Sequence, residues 1–129
     1  MRPKFYPPPH VTLTLVGPSA GRAARLAILE LFAGSAISAW HADAELAVGE
    51  LVANAIAECG ECQVSAWFAE REKVLRVEVS DGSSNMPNPQ PVDSTRIGGH
   101  GLRIVEALTT RWGVSPHASG KTVWIEIDG

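Results

Sequence analysis

Residues 62–81 read CQVSAWFAEREKVLRVEVSD, two runs in which apolar and polar side chains alternate, joined by the charged tetrapeptide EREK. Successive side chains on a strand point to opposite faces, so each run has one apolar face and the pair predicts an antiparallel hairpin. A hairpin alone cannot bury that face; it needs more strands and a covering layer. The rest of the chain supplies both. HVTLTLV at 10–16 alternates Val11, Leu13 and Leu15 and predicts another strand. Ser19 is placed to cap a helix over AGRAARLAILELFAG, closed by Gly34. ISAWHADAELAVGELVANAIAECG predicts a second helix, with Ala44, Val48, Leu51, Val52, Ala55 and Cys59 along one stripe and Gly60 as its C-terminal cap. LRIVEALTTRW predicts a third helix, and GVSPH and TVWIEID two final strands joined by ASGK. The order β-α-α-β-β-loop-α-β-β implies an α+β two-layer sandwich, with helices on one face of a mainly antiparallel sheet.

The 129 residues, 45% hydrophobic and 19% charged, suit one domain with one core. That domain is expected over 10–129, after a proline-rich flexible leader at 1–9. A net charge of -3 and scattered Lys and Arg give no footprint for nucleic acid. No run approaches the roughly 20 apolar residues that span a bilayer, and the N-terminus lacks the features of a signal peptide. No membrane partner and a cytoplasmic location are the expectations.

Cys59 and Cys62 have CxxC spacing, but a four-thiolate zinc site needs a second pair, which the sequence lacks. A redox CxxC normally opens a helix, whose dipole lowers the thiol pKa, whereas this pair falls where a helix ends and a strand begins. The two cysteines are therefore read as packing, with Cys59 on the core face.

Chemistry is suggested elsewhere. Glu50 and Asn54 stand one helical turn apart, on a flank that continues to Glu58 and is distinct from the apolar stripe. Asp81 ends a central strand. Some twenty residues rich in Gly, Pro, Asn and Ser follow, a length that in so small a domain indicates either disorder or a functional lid. They close on Gly98, Gly99 and Gly101, at the start of the third helix. A glycine-rich turn feeding a helix N-terminus can cradle phosphate on free backbone N–H groups. An amide oxygen can complete the shell of a phosphate-bound Mg²⁺, an aspartate can accept a hydrogen bond from an exocyclic amine, and a glutamate can take a proton from an attacking hydroxyl.

In this order the motifs resemble the GHKL ATPases of the Bergerat fold, and among them the bacterial anti-sigma factor serine/threonine kinases and their stand-alone regulatory relatives. ELAVGELVANAIAECG is similar to the family's N box, VEVSDGSSNMP to its first glycine box, GGHGLRIVEALTTRWGV to its second, and GKTVWIEI to its closing strand. The resemblance implies ATP and Mg²⁺ as cofactors, Asn54 as the Mg²⁺ ligand and Glu50 as the catalytic group orienting or deprotonating the substrate hydroxyl. It implies that Asp81 binds the adenine amino group with a water shared with Thr122, that Gly99 and Gly101 line the phosphates with Gly98 giving flexibility, and that His100 and Leu102 beside them belong to the cofactor-binding segment, with His100 a candidate phosphate contact. Arg96 is a further candidate phosphate contact. The implied partners are a sigma factor and an anti-anti-sigma protein of STAS type, with a homodimer as a further possibility. Two stretches differ from the family pattern. Ala57 and Glu58 stand where a His or Arg often follows the Asn, and Ser83 stands where the first glycine box usually has its second glycine. These motivate an alternative, a non-catalytic nucleotide-binding regulator acting by protein association.

Overall fold

The structure is a computed structural model that describes residues 11–31, 41–69, 73–83 and 99–128. Along the chain these form β1 (Val11–Val16), α1 (Ala20–Leu31), α2 (His41–Cys59), β2 (Glu61–Ala69), β3 (Val74–Asp81), α3 (Gly99–Leu108), β4 (Arg111–His117) and β5 (Gly120–Asp128). The five strands make one antiparallel sheet in the order β1-β2-β3-β5-β4. This is the expected α+β plan. No helix among the described residues is long and apolar enough to cross a membrane.

Strand alternation decides which side chains meet the helices. Leu15, Cys62, Val64, Ala66, Leu75, Val77, Val79, Val123, Ile125 and Ile127 are buried with Ala24 and Ile28 of α1, the α2 stripe and Val105 of α3. On α2, Ala44, Val48, Leu51, Val52 and Ala55 lie in this core as the periodicity predicts. Cys59 does not: only Cys62 is buried, and Cys59 is half-exposed. The stripe turns out of the core at the last helical turn because α2 runs beyond the apolar part of the sheet, to the polar end of β3. Gly60 then reverses the chain at φ +77°, with its N–H bonded to the Ile56 carbonyl at 2.8 Å.

Two boundaries differ from expectation. Arg111 and Trp112 leave the third helix and open β4, paired with Glu126 and Ile125. Helix α3 ends where β-branched Thr109 donates its hydroxyl to the Val105 carbonyl at 2.9 Å and the Thr110 N–H bonds to the Glu126 carbonyl at 2.9 Å. Sheet pairing overrides a helical pattern that was only local. The β4–β5 hairpin is also tighter than ASGK implies. His117 pairs with Gly120, so Gly120 and Lys121 belong to β5.

The other face of the sheet carries no helix among the described residues. It holds a charged ribbon in which Arg76 bonds to Glu78 at 2.9 Å and Glu126 at 2.7 Å, and Arg111 bonds to Glu126 at 2.8 Å and Asp128 at 2.6 Å. The Arg76 guanidinium stacks 4.6 Å from the centre of the Trp124 ring.

Candidate functional site

The polar end of β3 and the last turns of α2 form the candidate site. Asp81 ends β3 on the helix-facing side, in line with Val77 and Val79. Directly across, the register pairs it with Lys121 of β5. The Lys121 ammonium donates to Asp81 Oδ1 at 3.0 Å, and the two side chains are only 4% and 3% exposed. The Ser83 backbone N–H donates to the same oxygen at 2.8 Å, and the Cys59 thiol lies 3.8 Å from it. Among the described residues nothing donates to Asp81 Oδ2. A buried carboxylate oxygen without a donor is costly to leave so, and marks a position where a ligand's hydrogen-bond donor fits.

Gly120 permits this arrangement. It has φ +143°, and a Cβ there would collide with the Asp81 carbonyl oxygen. Only glycine lets the β4–β5 turn come so close to the end of β3.

Glu58 completes the cluster from α2. Its Oε2 accepts the Ser83 hydroxyl at 2.6 Å and lies 4.0 Å from the Lys121 ammonium. Glu58 and Ser83, two of the three residues at which the chain differs from the pattern it resembles, are thus hydrogen-bonded to each other. One and two helical turns back along the same flank stand Asn54 and Glu50, both half-buried. Among the described residues no hydrogen-bond partner holds either side chain.

The remaining expected residues are placed as follows. Gly99, His100, Gly101 and Leu102 form the first turn of α3, so the glycine run does feed a helix N-terminus; their side chains, and Gly98 and Arg96 altogether, lie outside the described residues. Thr122 pairs with Ser80, one step away from Asp81, and so projects from the opposite face of the sheet. There its hydroxyl is 2.8 Å from Ser80 Oγ and 3.3 Å from His117 Nε2. The register therefore separates Thr122 from Asp81 and brings Lys121 in its place. Thr14, Gln63, Ser80, His117 and Ser119, together with Cys62, Asp81 and Gly82, line an open recess of about 450 Å³ that includes neither Glu50 nor Asn54.

Sequence reasoning missed Lys121. The signal was present, because the apolar alternation of Val123, Ile125 and Ile127 extends back to position 121, but a lysine beside Gly120 reads as part of a turn.

Burial and, second, the Asp81 charge push the Cys62 thiol up to about 11. It is a protonated packing residue at neutral pH, as the sequence suggests. Among the described residues no group of three or more His, Cys, Asp or Glu stands close enough to hold a metal ion.

Comparison with known proteins agrees with this fold. No curated protein matches the chain. Among solved structures, part of the structure of the RsbU and RsbW domains of Rv1364c from Mycobacterium tuberculosis shares the fold, with a TM-score of 0.66 and 22% identity over 93% of this chain. This chain spans 33% of that one. The family model of the histidine kinase-like ATPase domain matches residues 17–127. With that match over nearly its whole length, the chain belongs to the histidine kinase-like ATPase domain family.

Proposed function

We propose that this domain binds MgATP between α2 and the polar end of β3 and acts as an anti-sigma-factor-type serine/threonine protein kinase. It binds a sigma factor and phosphorylates an anti-anti-sigma protein. The observation that carries the reading is the buried Asp81 carboxylate, whose Oδ1 is held by Lys121 and whose Oδ2 has no donor among the described residues, a fitting acceptor for the adenine amino group. Family membership supports ATP as the nucleotide.

In this reading Asp81 recognises the base, and Asn54 supplies an amide oxygen to Mg²⁺. Asn54 would hold the ion together with the nucleotide, since Mg²⁺ takes few protein ligands beside phosphate oxygens. When bound, the ion would supply neutralisation of the phosphate charge. Glu50, one turn from Asn54, orients or deprotonates the substrate serine hydroxyl. The α3 N-terminus behind Gly99 and Gly101 offers backbone N–H groups to phosphate.

The test is calorimetry of MgATP binding to the parent and Asn54→Ala, followed by phosphotransfer from labelled ATP to a STAS-type protein. Binding that weakens strongly in Asn54→Ala supports the site; unchanged binding overturns it. One contact favours a second reading. Ser83 and Glu58, which replace the family's usual residues, bond to each other at 2.6 Å and place an acidic group on the flank of Asn54. A nucleotide-binding regulator that acts by association would bind MgATP and transfer no phosphoryl group to any partner it captures.

A further inference from the structure

We propose that Lys121 is a positioning residue for base recognition. With the Ser83 backbone N–H it holds Asp81 Oδ1, so that Oδ2 is the acceptor offered to a ligand, and it thereby selects a purine carrying an amino group at C6. This rests on the reading of Asp81 as the base-recognition residue.

The contacts on Asp81 are one-sided. Lys121 Nζ at 3.0 Å and Ser83 N at 2.8 Å both reach Oδ1, and none among the described residues reaches Oδ2. An ammonium and a backbone N–H donate and never accept. The atom in the Oδ1 position must therefore be an oxygen, whatever side chain carries it. The register directly opposing Asp81 and Lys121 and the burial of both side chains hold this polarity in place. Glu58 Oε2, 4.0 Å from Nζ, gives the ammonium a second counter-charge that persists when position 81 is neutral.

An amide at position 81 makes the consequence measurable. In Asp81→Asn, Lys121 and Ser83 still demand an oxygen at Oδ1, so the amide turns its NH₂ group towards the ligand. An acceptor becomes a donor, and the site should prefer hypoxanthine, whose C6 bears a carbonyl, over adenine, whose C6 bears an amine. A site that hydrogen-bonds a specific group discriminates strongly against the analogue with the wrong polarity.

The experiment measures MgATP and MgITP affinity by calorimetry for the parent, Asp81→Asn, Lys121→Met and Asp81→Asn with Lys121→Met, with circular dichroism to confirm folding. The parent should prefer ATP. Asp81→Asn should reverse the preference by about tenfold or more, and adding Lys121→Met should shrink that reversal as the amide loses its anchor. Lys121→Met alone should weaken ATP about tenfold and leave ITP nearly unchanged; because it strands the buried Asp81 carboxylate, Lys121→Gln, which keeps a donor for Oδ1, is measured beside it and should keep the preference for ATP. The proposal is overturned if folded Asp81→Asn keeps its preference for ATP, if the double variant reverses as strongly as the single one, or if Lys121→Met weakens both nucleotides in parallel. A parent that binds neither nucleotide overturns the nucleotide-site reading itself, and this inference with it.

Discussion

The Ser83 hydroxyl donates to Glu58 Oε2 at 2.6 Å, tying the turn after β3 to the last turn of α2. The turn cannot move from α2 without breaking this bond, while the Ser83 N–H contact to Asp81 holds it to the end of β3. Glu58 is 34% exposed, so solvent screening limits the strength of the tie. Ser83→Ala should cost about 0.5–1 kcal/mol in urea denaturation. A loss above about 3 kcal/mol would mean that the contact supports far more than the turn.

The Asp81–Lys121 pair is a different case, because both charges are buried. Removing one partner of such a pair strands the other, at a cost of about 3–5 kcal/mol, whereas replacing both with apolar residues is often near neutral. Lys121→Met is therefore expected to be strongly destabilising, and Lys121→Met with Asp81→Leu should recover most of the loss. A double-mutant cycle by urea denaturation reads this directly. Strictly additive losses would show that the two side chains are not coupled.

Glu126 sets an acid limit on stability. Burial alone would raise its carboxyl, but hydrogen bonds from Arg111 and Arg76 outweigh that and hold it below the ordinary 4.5. With the folded value below the unfolded one, the stabilisation is fully present above pH 4.5 and is lost as pH falls through the lower folded value. The urea midpoint should drop below about pH 4.5, and Glu126→Gln should flatten that acid limb while lowering stability at pH 7 by about 1–3 kcal/mol. An acid limb identical in the parent and Glu126→Gln would refute the assignment.

The two thiols should label separately. Cys62 is buried, with its thiol pushed up to about 11, whereas Cys59 is half-exposed and 3.8 Å from Asp81 Oδ1. Thiolate is the reactive form, so native iodoacetamide treatment should add one group, at Cys59, and denaturation should expose the second. MgATP should slow the Cys59 reaction if the nucleotide sits against Asp81. Mass spectrometry of the intact chain and its peptides checks both points, and early labelling of Cys62 would count against the packing described here.

How far the site was legible varies residue by residue. Asp81 at a strand end and the separation of Glu50 and Asn54 from the α2 apolar stripe follow from the periods of strand and helix, which one segment states by itself. The third helix reads two residues too far into Arg111 and Trp112, because their strand pairing with Glu126 and Ile125 is made to a distant segment. Cys59 reads as core for a similar reason, since a helical stripe does not say where the sheet beneath it turns polar.

The sequence by itself determined the elements, their layering and the carboxylate that ends β3, because hydrophobic periodicity and turn chemistry act over a few neighbouring residues. Tertiary structure alone decided what that carboxylate faces. A strand shifted by one residue turns every side chain to the other face, and the β3–β5 register sets Lys121, rather than Thr122, against Asp81. It also joins Ser83 to Glu58 across 25 residues of chain, a contact that exists only because the last turn of α2 lies over the end of β3.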